Sequence, residues 1–126
     1  MTDIAATVES YFALWTEPDP VRRQKLIAST FEEDATYVGP ALGGNGHDGI
    51  GDLATQLQEP LGGYRFNRTS DVDVHHDRVR YSWEIVPPGS KAPLAAGVDF
   101  GVIAPDGRLK SITAFLDLAP AGLGEH

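Results

Sequence analysis

The sequence contains no cysteine, which excludes disulfide bonds and any thiolate nucleophile or thiolate metal ligand. It has no run of about 18 apolar residues that could cross a bilayer, and its start lacks a basic segment followed by an apolar one. Basic residues are few: 10 Lys and Arg stand against 18 Asp and Glu, a formal net charge of −8. From the missing apolar run and basic start we expect a cytoplasmic protein with no membrane segment. Because the negative charge repels phosphate backbones, we expect no nucleic-acid partner.

The length of 126 residues suits a single domain that spans residues 1–126. A chain of this size buries roughly two-thirds of the surface that its unfolded form exposes, so it needs no metal or disulfide for stability. No internal repeat or low-complexity linker divides it.

Apolar residues at intervals of three and four predict three helices in the first half of the chain. The expected helices run from Asp3 to Trp15 with Thr2 or Asp3 as N-cap, from Pro20 to Ser29, and from Asp48 to Gln58. Five glycines between positions 39 and 49 predict an irregular, mobile flap before the third helix.

Alternation with a period of two predicts strands in the second half, after one short strand over Ala35–Val38. Those strands form an antiparallel meander over 64–75, 79–85 and a hairpin over 94–117 that turns at Pro105-Asp-Gly. Three helices followed by a meander predict an α+β domain, in which a curved sheet wraps the helices.

Asp99 is the most informative single residue, because it lies in the middle of an apolar strand. Its strand face otherwise carries small groups, including Ala95, Gly97 and Gly101. Residues too small to fill space predict a cavity with the carboxyl group in its wall, and a buried acid needs a partner or a raised pKa. The alternatives are an outward position or a structural bond to Tyr11.

The segments that identify the fold are Tyr11-Phe-Ala-Leu-Trp15, Phe31-Glu-Glu-Asp-Ala-Thr-Tyr-Val-Gly-Pro40, Gly46-His-Asp-Gly-Ile50, Asp99-Phe and Asp106-Gly-Arg-Leu109. Together they resemble the nuclear transport factor 2-like superfamily, in its SnoaL-like and ketosteroid-isomerase-like branch. The resemblance implies a cone-shaped, curved, mostly antiparallel sheet packed on three N-terminal helices, a deep apolar pocket, and a homodimer formed through the sheets. The family contains isomerases, polyketide cyclases, dehydratases and epoxide hydrolases, as well as proteins that only bind ligands or partners.

The resemblance also implies roles for individual residues. Ketosteroid isomerases carry an oxyanion-hole tyrosine on the first helix, a general-base aspartate followed by proline after the first strand, and a protonated aspartate on a late strand. Tyr11 matches the first and Asp99 the third. The base position does not match, because this chain has Gly39-Pro40 there.

Further candidates are Trp15 and Tyr37, which we expect at the mouth of the cone, and Leu116 and Ile112 as additional substrate-binding residues. Packing in the core is the alternative for each aromatic residue, including Tyr11. We expect His47 to be a structural residue at the N-terminus of the third helix, and the alternative is a proton shuttle.

No metal or cofactor is predicted. Adjacent strand residues point to opposite faces, so the His75-His76-Asp77 segment is expected to be a polar hairpin tip. Asp106-Gly107 lacks the alternating acids of a calcium loop, and no phosphate-binding glycine fingerprint or nucleophile elbow occurs.

Two functions remain open at this point. The first is a cofactor-free enzyme for a small apolar carbonyl or polyketide-like substrate, with Asp99 as acid or base and Tyr11 as donor to a developing oxyanion. The second is a binding or interaction module that lost its chemistry, which the glycine at position 39 favours.

Overall fold

The computed structural model describes residues 4–40 and 42–118, and these residues form three helices against one curved sheet of seven strands. The helices are α1 (Ile4–Thr16), α2 (Pro20–Thr30) and α3 (Gly46–Gln58). The strands are β1 (Phe31–Val38), β2 (Gly43–Asn45), β3 (Arg65–Arg68), β4 (Asp73–His75), β5 (Arg78–Val86), β6 (Ala95–Ile103) and β7 (Leu109–Leu118). The predicted α+β cone fold is confirmed.

The start of α2 follows its sequence signals closely. The Asp19 side chain accepts a hydrogen bond from the Val21 N–H, and Pro20 occupies the first turn, where its missing N–H costs nothing. The helix continues directly into β1, because Phe31 turns to extended geometry after Thr30. The N-cap expected for α1 at Thr2 or Asp3 lies outside the described residues.

The sheet has the order β2-β1-β7-β6-β5-β3, with β4 also paired to β5. All pairs are antiparallel except β1 with β7, which run parallel. The meander therefore closes onto the strand that follows α2, and the two halves of the chain share one sheet. The concave face covers a core in which Val8, Leu14, Ile27, Phe31 and Leu109 are completely buried.

The glycine-rich segment is more regular than its composition predicts. Gly43–Asn45 form β2, which pairs with β1, and α3 begins at Gly46. A side chain on Gly44 would stand 2.6 Å from the Gly49 carbonyl oxygen, so glycine lets β2 pack directly on the first turn of α3. Gly46 has a φ of 70°, which favours glycine. The expectation of irregular structure was wrong for residues 43–49, because the glycines there permit close approach. The mobility of the segment stays a prediction.

The strand predicted over residues 64–75 is divided into β3 and β4. Between them the Ser70 hydroxyl accepts a hydrogen bond from the Ser82 N–H at 2.8 Å, in place of a backbone acceptor. A serine side chain that competes for a backbone donor interrupts the ladder. In the described part of the chain, no helix is both long and apolar enough to span a membrane.

Candidate functional site

Asp99 lies on the inner face of β6, as its sequence pattern predicts. Its side chain is 1% exposed, while its neighbour Phe100 on the opposite face is 41% exposed. In the antiparallel ladders Asp99 stands opposite Tyr81 of β5 and Ala114 of β7. Directly opposed residues share a face of the sheet, so all three point into the cone.

The glycines beside Asp99 serve close packing and do not border the expected cavity. A side chain on Gly97 would stand 2.8 Å from the Trp83 indole, and one on Gly101 would stand 2.7 Å from Ile112 Cδ1. Neighbouring side chains therefore fill the space over both glycines. The prediction that these glycines border a cavity was wrong, although Ala95 and Asp99 do line one.

A cavity of about 130 Å³ lies inside the cone, next to Asp99. Its wall is mostly aromatic and aliphatic: Tyr11, Phe12, Trp15, Tyr37, Phe66, Trp83, Leu42, Leu57, Leu61, Ile85, Ala95, Ala114 and Leu116, with Gly39 and Pro40. Pro40 and Leu42 are exposed, so the cavity reaches the surface beside them. No Lys, Arg or His belongs to this lining in the described chain, and Asp99 is its only carboxylate.

Three donors surround the Asp99 carboxyl group: the hydroxyls of Tyr11 and Tyr81 and the indole N–H of Trp83. Tyr81 and Trp83 come from β5 and Tyr11 comes from α1. The Tyr81 hydroxyl, Trp83 Nε1 and Asp99 Oδ1 are buried without a well-aligned hydrogen-bond partner. We therefore regard the contacts of Tyr81 and Trp83 with the carboxyl group as weak, imperfectly aligned hydrogen bonds, which leaves capacity for a ligand.

The environment of Asp99 adjusts its pKa in two opposite ways. Burial raises the pKa of the carboxyl group from 3.8 to about 6, against the lowering effect of hydrogen bonds from Tyr11, Tyr81 and Trp83. Burial, together with the charge of Asp99, raises the pKa of each of the Tyr11, Tyr37 and Tyr81 hydroxyls. The carboxyl group can thus take or give a proton near neutral pH, while the three hydroxyls stay protonated as donors.

Aromatic rings hold Tyr11 in place at the centre of the site. Its ring makes edge contacts with Phe12, Trp15, Phe31 and Tyr81, at centroid separations of 5.4–6.0 Å. Such pairs add to the free energy of burial and fix the ring plane. The Tyr11 hydroxyl therefore has a defined position between Asp99 and Tyr37, and it hydrogen bonds with both.

Tyr37 reaches the cavity from β1, next to Gly39. A side chain on Gly39 would begin 3.7 Å from the Tyr37 hydroxyl oxygen and 3.6 Å from the ring, both ordinary contacts. Position 39 lines the cavity, as the resemblance implies for the general-base position, but glycine leaves that wall without a carboxylate.

The acids on β5 and β7, the two strands beside Asp99, do not face it. Glu84 stands opposite Ala96, on the outer face, where it accepts a hydrogen bond from Asn67 at 3.1 Å. Asp117 is exposed. Neither lines the cavity, so its lining by residues 4–40 and 42–118 contains no pair of carboxylates.

The predicted site residues divide clearly by position. Tyr11, Trp15, Tyr37, Leu116 and Asp99 all line the cavity. Ile112 does not: it is completely buried in the closed core, where it fills the space over Gly101.

Sequence reasoning missed four aromatic lining or neighbouring residues: Phe12, Phe66, Tyr81 and Trp83. The strand alternation placed Tyr81 and Trp83 on one face, but only the pairing register of β5 with β6 shows that this face carries Asp99.

The three histidines in the described part of the chain lie outside this site. His47 Nε2 lies 2.7 Å from the Phe31 carbonyl oxygen and ties the first turn of α3 to β1, which agrees with a structural role. His75 and His76 are exposed at the tip between β4 and β5. Within residues 4–40 and 42–118, no three potential metal ligands cluster.

Similarity to solved structures identifies the family. A candidate isomerase of the SnoaL-like family from Agrobacterium tumefaciens superposes with a TM-score of 0.84 and 31% sequence identity, over 93% of this chain and 99% of that one. The chain belongs to the SnoaL-like family. No family model matches the sequence, and no curated protein does.

More distant structures share the fold of this SnoaL-like protein. A nuclear transport factor 2-like protein of unknown function from Exiguobacterium has a TM-score of 0.70 at 17% identity, over 88% of this chain and 98% of that one. A candidate polyketide cyclase from Sinorhizobium meliloti has a TM-score of 0.67 at 16% identity, over 86% of this chain and 93% of that one. These two matches show a shared fold, and the structure at 31% identity confirms the predicted resemblance to the SnoaL-like branch of the nuclear transport factor 2-like superfamily.

Proposed function

We propose that this SnoaL-like protein is a cofactor-independent enzyme that moves a proton on a small, uncharged, apolar carbonyl compound. The observation that carries the proposal is a lone carboxyl group, Asp99, with a pKa of about 6 in the wall of an apolar cavity. Perturbed acids in apolar clefts are typical of proton-transfer sites. The Tyr11 hydroxyl beside it supplies a donor for the oxygen that gains charge.

The cavity favours a substrate of monocyclic size. Its volume of about 130 Å³ compares with the roughly 150 Å³ of an apolar cavity that accepts benzene. A charged substrate would lose its hydration without gaining a counterion, because none of the described lining residues carries a cationic side chain. Larger polyketide-like molecules would have to extend past Pro40 and Leu42 into solvent.

The name of one relative supports this class of chemistry, because the Agrobacterium structure, 31% identical to this chain, is a candidate isomerase of the SnoaL-like family. An isomerase rearranges its substrate without a net change in oxidation state. The candidate polyketide cyclase, at 16% identity, shares the fold alone.

A second candidate is a ligand-binding protein without turnover. Gly39 favours it, because the cavity wall has no second carboxylate at the position where ketosteroid isomerases carry their base. In this case Asp99 and the tyrosine hydroxyls would serve only to orient a ligand that carries one polar group.

The test combines turnover with binding. Conversion of 3-cyclohexen-1-one to the conjugated 2-cyclohexen-1-one is followed by ultraviolet absorbance, and 2-cyclohexen-1-one binding is measured by calorimetry. We expect catalysed conversion that Asp99→Asn abolishes while Asp71→Asn, at an exposed carboxylate, preserves it. Binding of 2-cyclohexen-1-one to the wild type without any turnover would support the binding protein.

We further propose a homodimer that forms through the outer face of the sheet. Phe115 of β7 is 57% exposed and stands beside Val98 of β6, with Phe100 and Val38 nearby on the same face. Large apolar groups clustered on one exposed face are typical of protein interfaces. A second copy would cover them without contacting the cavity, which opens elsewhere.

A further inference from the structure

We propose that Tyr37 is a further catalytic residue, whose hydroxyl donates a hydrogen bond to the substrate carbonyl oxygen while the Asp99 carboxylate takes the substrate proton. This inference rests on the proposed function and deepens it. It reverses the roles that the family resemblance implies, in which the late-strand aspartate holds the oxygen and a carboxylate at position 39 takes the proton.

The position of Tyr37 is the first argument. Its hydroxyl oxygen lies 3.7 Å from the point where a side chain at position 39 would begin. The group next to the empty base position is thus a phenol. Its ring packs on Trp15, with centroids 5.5 Å apart, so the hydroxyl is held at the cavity wall.

Chemistry is the second argument. A buried phenol beside a carboxylate keeps its proton, because both burial and the charge of Asp99 disfavour the phenolate. Tyr37 can therefore donate but cannot act as a base near neutral pH. Asp99 is the only carboxylate of the described lining, so the cavity has one group able to accept a proton from carbon.

The arrangement of these groups is the third argument. The Tyr11 hydroxyl hydrogen bonds with both Asp99 and Tyr37, so it lies between the proton acceptor and the proposed donor. A carbonyl compound can then place its oxygen at the Tyr11 and Tyr37 hydroxyls and its α-carbon towards Asp99. Donors at the oxygen stabilise the enolate in proportion to the charge that develops there.

The step is balanced without a cofactor. The Asp99 carboxylate takes a proton from the α-carbon, and the electron pair of the broken C–H bond forms the enolate. Tyr37 donates a hydrogen bond to the enolate oxygen. Tyr11 turns its single hydroxyl proton from Asp99 to the same oxygen once Asp99 has taken the substrate proton, and both tyrosines keep their protons. Protonated Asp99 then returns the proton to the γ-carbon, and the double bond becomes conjugated with the carbonyl group.

The first experiment tests whether the Asp99 carboxyl group or a bound phenol carries the proton between them. 4-Nitrophenol is added to the protein at a pH where the free ligand is partly ionised, and the visible absorbance of its anion is measured. We expect wild type to bind the neutral phenol, which donates to the Asp99 carboxylate, so the anion absorbance falls. Asp99→Asn should lose this decrease.

The alternative assignment of roles predicts the opposite change in the absorbance of the 4-nitrophenol anion. If Asp99 is the protonated donor, 4-nitrophenol binds as its anion and the absorbance rises. That result would overturn the role reversal and leave the proposed enzyme intact. No binding of 4-nitrophenol together with no isomerisation of 3-cyclohexen-1-one would overturn both.

The second experiment measures the contribution of Tyr37 itself. Loss of one oxyanion donor typically lowers kcat by about 100-fold to 1,000-fold, so we expect Tyr37→Phe to lower kcat this far, with a smaller change in KM. Tyr64→Phe, at a half-buried tyrosine outside the cavity lining, is the matched control and should keep the wild-type kcat. Equal kcat for Tyr37→Phe and wild type would overturn the role of Tyr37.

Discussion

Tyr81 lies directly opposite Asp99 in the ladder between β5 and β6, and its buried hydroxyl makes a weak, imperfectly aligned hydrogen bond with the Asp99 carboxyl group. The register of two backbone strands thus sets a side-chain contact inside the cone. Because this contact favours the ionised carboxylate, it counteracts the effect of burial on the pKa of Asp99.

Tyr81→Phe tests that relationship. Removal of the hydroxyl takes one donor from the carboxylate, so we expect the pKa of Asp99 to rise above its value of about 6. Carboxyl carbon NMR with labelled aspartate measures it directly. Tyr64→Phe is the control, and a lower pKa in Tyr81→Phe would contradict the contact.

The stability of the protein should depend on pH through Asp99. Below about pH 4 the carboxyl group is protonated in both the folded and the unfolded state, so its ionisation does not lower the free energy of unfolding. Above about pH 6 it is ionised in both states. At about 1.4 kcal/mol for each pH unit, the rise in its pKa from 3.8 to about 6 costs the folded state about 3 kcal/mol.

Urea unfolding of Asp99→Asn measures this cost. We expect the variant to be more stable than wild type at pH 7, by up to about 3 kcal/mol, and the difference to shrink as the pH falls from 6 to 4. Asp34→Asn, at an exposed position of β1, should follow the wild-type curve. A difference that stays constant with pH would show that Asp99 is not held at a raised pKa.

Gly97 should tolerate no side chain. A methyl group there would stand 2.0 Å from the Phe115 carbonyl oxygen, which belongs to the backbone of β7 and cannot rotate away. We expect Gly97→Ala to lower the free energy of unfolding by about 3 kcal/mol or more, the upper range for overpacked sites. Gly39→Ala meets only ordinary contacts and should stay within about 1 kcal/mol of wild type in the same urea titration.

Gly39→Asp introduces the acid that ketosteroid isomerases carry. The contacts of a side chain at this position are of ordinary length, so the variant should fold. A second carboxylate in the same cavity disfavours ionisation of the first, so we expect the apparent pKa of Asp99 to rise above about 6. Gly39→Asn has the same size without the charge and should leave the pH–rate profile unchanged.

Phe115→Glu tests the proposed dimer. Two copies that meet through the outer sheet face would place these charges together in an apolar interface, so we expect the variant to sediment as a monomer at concentrations where wild type is dimeric. The cavity does not include Phe115, so 2-cyclohexen-1-one binding should be retained. A monomeric wild type would remove the proposal.

The sequence predicts the elements of this fold well where the signal is local. Helix α2 begins where Asp19 and Pro20 predict it, and the alternation around Asp99 gives the correct face. The parallel contact of β1 with β7 joins residues that are distant in the chain, and no local pattern contains it.

The same distinction applies to the site. Tyr11 and Asp99 were found through motifs, whereas Tyr81 depends on the register of two strands. Ile112 has the composition of a pocket residue, but Gly101 opposite it opens a core space that its side chain fills. Whether a small residue borders empty or occupied space depends on its neighbours across the sheet. The order and register of the strands decide which residues these are, and no local sequence pattern contains that information.

The parallel pairing of β1 with β7 has a consequence for ligand length. Tyr37 belongs to β1 and Asp99 to β6, with β7 between them. Neighbouring strands lie about 4.8 Å apart, so the backbones that carry the two groups are separated laterally by about 9–10 Å. The pairing of the strands in the sheet fixes this lateral separation of the two backbones. Because the Tyr11 hydroxyl hydrogen bonds with both side chains, the ends of Asp99 and Tyr37 converge across this separation. A ligand that engages both groups therefore needs only a short distance between its oxygen and its acidic hydrogen, as in a carbonyl compound that loses a proton from its α-carbon.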